Sequence, residues 1–197
     1  MHLLALSGSL RAASSNSALL ESAAALAPAG VTISISRLIP DLPHFSPDLE
    51  PQLPAAARAF RAEVAAADGL LISCPEYAHG VPGSFKNALD WLVGGPEFLN
   101  KPVAFFNVSA RGSYALASLR ETVSVMTGQI SEAGSLTLPL LSGAVTRQRI
   151  EEDPTLAAAV RDALGAFAAE IAATTSPGAP SSPGPADHPR FIPRSSA

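Results

Sequence analysis

The chain has 197 residues, of which 47% are hydrophobic and only 15% charged, and its net charge is −4. That is enough for one domain with a sizeable core plus some surplus chain, and the acidic balance argues against a nucleic-acid binder or a protein anchored to an anionic membrane. The single cysteine, Cys74, excludes an internal disulfide framework and an iron–sulfur cluster built within one chain. No apolar run is long enough to span a bilayer, and no basic leader precedes the first strand, so a cytoplasmic protein is expected.

Strand-like and helix-like segments alternate. Leu3 to Ser7 reads as the first strand, and Ser15 to Ala27 as a helix ended by Pro28 and Gly30. Val31 to Ser36 alternates strictly and is β-branched, as a half-exposed edge strand would be. Pro40, Pro43 and Pro47 mark a loop, and Gln52 to Ala67 an Ala-rich helix. Gly69 to Cys74 is a continuous apolar run that reads as a buried central strand, with Cys74 as a small core residue. Then come a helix over Pro82 to Leu92, a strand over Lys101 to Val108, and a helix over Ser113 to Thr127 closed by Gly128. A last strand is expected over Ser135 to Pro139, and a long final helix over Pro154 to Ala173 with Asp153 as its N-cap. Such alternation argues for a parallel sheet with helices on both faces. Residues 1–174 are expected to form the domain. Residues 175–197, rich in Pro, Ser and Gly, are expected to be a flexible tail.

Two loops carry the chemistry. After the first strand come Ser7-Gly8-Ser9, the cation Arg11, and Ser14-Ser15-Asn16 where a helix begins. Successive backbone N–H groups and the positive helix end suit a phosphate, with Arg11 able to donate two parallel bonds. Hydroxyls of Ser9, Ser14 and Ser15 and the Asn16 amide can add bonds, and the same residue types also serve as helix caps. No Gly-x-x-x-x-Gly-Lys-Ser/Thr and no Gly-x-Gly-x-x-Gly pattern is present, against a nucleoside triphosphatase or a dinucleotide Rossmann site. After the central strand comes Pro75-Glu76-Tyr77-Ala78-His79-Gly80, an aromatic loop with close-approach glycine, followed by Pro82 at a helix start. A phosphate cup and a seat for a flat ring, after two strands of one sheet, are the layout of an FMN site.

Gly8-Ser9-Leu10-Arg11-x-x-Ser14-x-Asn16, followed by Pro75-Glu76-Tyr77-x-x-Gly80-x-Pro82-Gly83-x-x-Lys86-Asn87-Ala88-x-Asp90-Trp91, resembles the NADPH-dependent FMN reductase family over about residues 1–174. The resemblance implies a flavodoxin-like three-layer α/β/α sandwich with a five-stranded parallel sheet in the order 2-1-3-4-5. It also implies bound FMN and reduction by NADPH or NADH. Ser9, Arg11, Ser14, Ser15 and Asn16 would hold the phosphate. Pro75, Glu76, Tyr77, Ala78, His79 and Gly80 would line the ring, largely through backbone groups. A third loop, with Ser109 and Gly112, would meet the ring as well, although Ser113 stands where the family has a second glycine. Ala78 stands where the family commonly has Asn. Asn87 or Asp90 is expected to bond the ring-loop backbone, and Trp91 to pack at a subunit contact.

The expected reaction is hydride transfer from nicotinamide to FMN and then to a small-molecule acceptor (quinone, free flavin, azo compound or metal oxyanion) in a ping-pong cycle. No catalytic side chain and no metal are assigned, because the flavin carries the chemistry. A homodimer or homotetramer without nucleic-acid or membrane partners is expected. The alternatives are a flavodoxin-like electron carrier for a protein partner and a non-flavin nucleotide-binding module.

Overall fold

The most apolar runs of the chain lie side by side. The computed structural model describes residues 1–108, 113–138 and 145–175. Strands β1 (His2–Ser7), β2 (Thr32–Ile35), β3 (Gly69–Ser73) and β4 (Pro102–Asn107) pair in parallel in the order β2-β1-β3-β4. β3 is buried along its whole length, which its unbroken Gly-Leu-Leu-Ile-Ser run demands of a central parallel strand. β2 alternates exposed and half-buried residues at the sheet edge, as its sequence pattern predicts.

The fifth position is divided. β5 (Gln129–Ile130) pairs with the start of β4 and β6 (Leu136–Thr137) with its end, so the sheet has six strands where five are expected. Between the two pieces the chain bulges out over residues 131–135. The Ser131 hydroxyl accepts the Gly134 N–H at 2.9 Å, while the Ser135 hydroxyl donates to the Ser131 carbonyl at 2.6 Å. The Ser135 Oγ also accepts the Phe105 N–H at 3.0 Å, supplying the acceptor that an unbroken fifth strand would have offered. The expected strand over 135–139 is thus only its residues 136–137, and Pro139 lies outside the described residues.

Helices α1 (Ser15–Ala25), α5 (Arg147–Glu152) and α6 (Pro154–Thr175) cover one face, and α2 (Ala55–Ala66), α3 (Gly83–Val93) and α4 (Ser113–Val125) the other. Alternate strand residues feed the two cores. Leu3, Ala5, Leu71 and Phe106 pack with Val160, Leu164 and Phe167, whereas Leu4, Leu6, Ile72 and Phe105 pack with Phe60, Phe85 and Leu89. The Asp153 carboxylate caps α6 by accepting the N–H groups of Thr155 (2.9 Å) and Leu156 (3.2 Å), as expected. Helix α5 is an element the sequence reading did not foresee. It is a single short turn region whose N-cap is Thr146. The tail beyond Thr175 lies outside the described residues. No described helix is long and apolar enough to cross a membrane.

Candidate functional site

The parallel ladder aligns Ser7 of β1 with Ser73 of β3, so the loops that follow both strands emerge together at the carboxyl edge of the sheet. They touch at once. The Gly8 N–H bonds the Ser73 carbonyl at 2.8 Å, and a Cβ on Gly8 would lie 2.4 Å from the Cys74 Sγ, so only glycine fits there. Burial pushes the Cys74 thiol up to about 12, which leaves it neutral and inert beside the loops.

The first loop is built to leave a helix end open. Ser14 sits in extended backbone as the N-cap of α1, its Oγ accepting the Ser17 N–H at 3.3 Å. The amides of Ser15 and Asn16, in the first turn, have no intrahelical acceptor, and no acidic side chain occupies that turn. The Ser9 hydroxyl accepts the Arg11 N–H at 3.4 Å, which curls the loop back and leaves the exposed Arg11 guanidinium without an ion pair among the described residues. Asn16 is buried, and its Oδ1 accepts the Ser73 hydroxyl at 3.0 Å, while its Nδ2 donates to no described acceptor. The Ser15 hydroxyl is committed elsewhere, accepting the Val145 N–H at 2.9 Å. A positive helix end, a guanidinium and an amide donor that are all uncompensated among the described residues fit a phosphate monoester.

The second loop is a tight turn. Tyr77 and Gly80 exchange N–H···O bonds of 3.0 and 2.9 Å, and the two residues between them have positive φ, +50° at Ala78 and +61° at His79. This is a two-residue type I′ geometry, which Asn-Gly favours and which this chain makes with Ala-His. The N–H groups of Ala78 and His79 bond no described acceptor, and Tyr77 is 49% exposed. Outward amides beside an exposed aromatic face fit a flat, electron-accepting ring.

Several residues stand otherwise than expected. The expected ring contact of Glu76 is through its backbone, and its carboxylate is engaged by α4. Its Oε2 accepts the N–H groups of Tyr114 (2.8 Å) and Ala115 (3.0 Å) at the N-terminal end of α4. The His79 ring stacks on Tyr114, with centroids 4.4 Å apart and planes 17° from parallel. Tyr114 is the residue that sequence reasoning missed. Nothing local marks it, since its partners lie more than thirty positions earlier. Asn87 does not bond the ring loop. Its side chain takes the Phe45 N–H at 2.8 Å and gives to the Pro43 carbonyl at 2.9 Å, holding the loop after β2 instead. Trp91 is fully buried, with its Nε1 on the same carbonyl at 2.8 Å, and so cannot serve a subunit contact. Asp90 pairs with Lys86 one turn earlier on α3. Ser109 and Gly112 lie outside the described residues.

The strand order and the pairing of edge loops define a flavodoxin-like α/β protein. Within that class the chain belongs to the NADPH-dependent FMN reductase family, whose model matches residues 1–143. It is 41% identical over 110 residues to an NAD(P)H-dependent FMN reductase of Pseudomonas aeruginosa, the match covering 54% of this chain and 59% of that one. It is 46% identical over 84 residues to a 2-hydroxy-1,4-benzoquinone reductase of a Burkholderia species, covering 43% and 45% of the two chains. A quinone reductase of Escherichia coli is 35% identical over 107 residues, covering 52% and 57%. The chain thus spans about half the length of the curated relatives it matches. Among solved structures, the flavoenzyme NAD(P)H:(acceptor) oxidoreductase FerB of Paracoccus denitrificans superposes with a TM-score of 0.65 at 22% identity, over 87% of this chain and 95% of that one.

Proposed function

We propose that this chain is an NAD(P)H-dependent oxidoreductase that binds FMN and passes reducing equivalents to a quinone or another small planar acceptor. The observation that carries the reading is the open N-terminal end of α1 beside Arg11, which has no ion pair among the described residues, one strand away from the aromatic turn at Tyr77. Ser9, Arg11, Ser14, Ser15 and Asn16 would hold the phosphate. The Pro75–Gly80 turn would hold the ring, with Ser109 and Gly112 in the loop that follows β4. The names of the matched relatives, FMN reductase and quinone reductase, support the same reaction class.

When bound, FMN supplies the acceptance of a hydride from a nicotinamide and its delivery to an acceptor. The chain's own part is to bind and orient. The amides of Ser15 and Asn16 and the Arg11 guanidinium neutralise the phosphate, and the outward N–H groups of Ala78 and His79 stabilise negative charge on the ring side. No side chain need donate or accept a proton for hydride delivery, so no catalytic acid or base is assigned. A single loop-lined face has to receive donor and acceptor in turn, which supports parallel-line, ping-pong initial-rate plots. The reading carries a cytoplasmic location with it, where NAD(P)H is supplied. An exposed apolar strip of Val93, Leu99 and Val125 along α3, the following turn and α4 supports a homo-oligomer. Light scattering on the purified protein checks this, and a monomer at micromolar concentration refutes it.

The central test is a titration of the purified protein with FMN, followed by anaerobic addition of NADPH or NADH and then of a benzoquinone. Uptake of FMN, bleaching of its visible absorbance by the nicotinamide and its return on adding quinone are expected. Failure to take up FMN overturns the reading, as does a reduced bound flavin that quinone cannot reoxidise.

A further inference from the structure

The Tyr77–Gly80 turn is a strained element in an exposed place. Two successive non-glycine residues hold left-handed backbone there, a conformation that an isolated L-peptide rarely visits. The turn's own pair of backbone bonds closes the ring of atoms but does not aim it. Among the described residues, the side-chain hydrogen bonds and ring contacts of residues 76–80 all end on Tyr114 and Ala115. They are the Glu76 carboxylate on two α4 amides and the His79 ring on the Tyr114 ring. Glu76 thereby does two jobs in one geometry. It satisfies two N–H groups that the helix cannot satisfy itself, and it places negative charge at the positive end of a thirteen-residue helix.

We propose that Glu76 is a positioning residue, and that with the His79–Tyr114 stack it forms a clasp fastening the Pro75–Gly80 turn to the first turn of α4, so that the ring seat holds its left-handed shape before any flavin arrives. The inference rests on the proposed function for its consequence, flavin affinity, but the clasp itself is a property of the flavin-free protein. A seat that is populated only part of the time binds with an affinity reduced by that fraction. Breaking the clasp therefore weakens flavin binding without removing any group that touches the flavin.

The test compares wild type with Glu76→Ala, Glu76→Gln and Tyr114→Ala. Amide hydrogen exchange is read residue by residue in the flavin-free protein, and FMN affinity by quenching of flavin fluorescence. In Glu76→Ala, exchange is expected to rise at Tyr77 and Gly80, whose amides close the turn, as well as at Tyr114 and Ala115, and FMN to bind about tenfold more weakly. Glu76→Gln keeps an acceptor oxygen for the helix amides and is expected to recover most of the affinity, within about threefold of wild type. Tyr114→Ala leaves the carboxylate bonds to backbone in place, and is expected to speed exchange at Tyr77 and Gly80 by loosening the stack alone. If Glu76→Ala fails to fold, Glu76→Gln and Tyr114→Ala still decide the matter. Faster exchange confined to Tyr114 and Ala115, with the turn and FMN affinity unchanged, makes Glu76 a mere helix cap and overturns the proposal. So does a Tyr114→Ala variant whose turn exchanges as in wild type. If wild type binds no FMN, the proposed function fails, and exchange at the turn alone still judges the clasp.

Discussion

At the scale of single residues, Ala78 is where this chain departs from what its backbone asks for. At φ +50° a Cβ costs about 1 kcal/mol that glycine avoids, and asparagine tolerates the region better than alanine. Ala78→Gly and Ala78→Asn are expected to stabilise the protein by about 0.5–1 kcal/mol, seen as a raised urea midpoint with an unchanged slope. Arg11 makes the complementary case in binding. Arg11→Ala is expected to weaken FMN binding roughly ten- to a hundredfold, by about 1.5–3 kcal/mol, while leaving riboflavin binding nearly unchanged. Fluorescence titration with both ligands checks this, and equal losses for the two would show that the guanidinium does not serve a phosphate. Cys74 sets a pH dependence. Burial raises its folded pKa from an ordinary 9.0 to about 12. Its contribution to stability is full below pH 9, where both states hold the proton, and is lost as pH rises towards 12, because the unfolded chain releases its proton first. Between about pH 8 and about pH 10.5, wild type is therefore expected to lose more stability than Cys74→Ala, measured by urea denaturation at each pH.

At the scale of elements, the break in the fifth strand is held by two serine hydroxyls. Ser135→Ala is expected to cost about 1–3 kcal/mol, because the buried Phe105 N–H then lacks its acceptor. A shift in urea midpoint no larger than that of an exposed serine would show that the ladder finds another acceptor. This region also marks where the sequence stops being legible. β1, β3 and β4 are long apolar runs whose burial leaves them no other arrangement, and α6 carries its cap and its helical pattern in plain view. β5 and β6 have two residues each, too few to show a period of two, and they exist only because β4 offers them an edge. The candidate phosphate loop is legible as a unit because its parts are neighbours in the chain: the serines, Arg11 and the start of α1. The ring seat was readable as a loop but not in its supports. Glu76 reaches an α4 amide 38 residues on, and Asn87 and Trp91 reach back 44 and 48 residues to Pro43. No local pattern encodes such distances, so the sequence shows Glu76 in its loop without showing what it fastens that loop to, and it assigns Asn87 to the nearest loop instead of the one it holds.

At the scale of the whole molecule, one face of the sheet is sealed by a helix that comes late in the chain. One face of β1 and β3 is covered by α6, whose Val160, Leu164, Phe167 and Ile171 meet Leu3, Ala5 and Leu71. The fit is close enough that a Cβ on Gly69 would fall 2.8 Å from Ile171. The family match ends at residue 143, before that helix begins. During synthesis, then, the first strand and the third can align long before their shared apolar flank has a cover. A nascent chain stalled near residue 150 is expected to stay sticky on the ribosome and to recruit holdase chaperones. Release of those chaperones should coincide with the emergence of Ile171 from the exit tunnel.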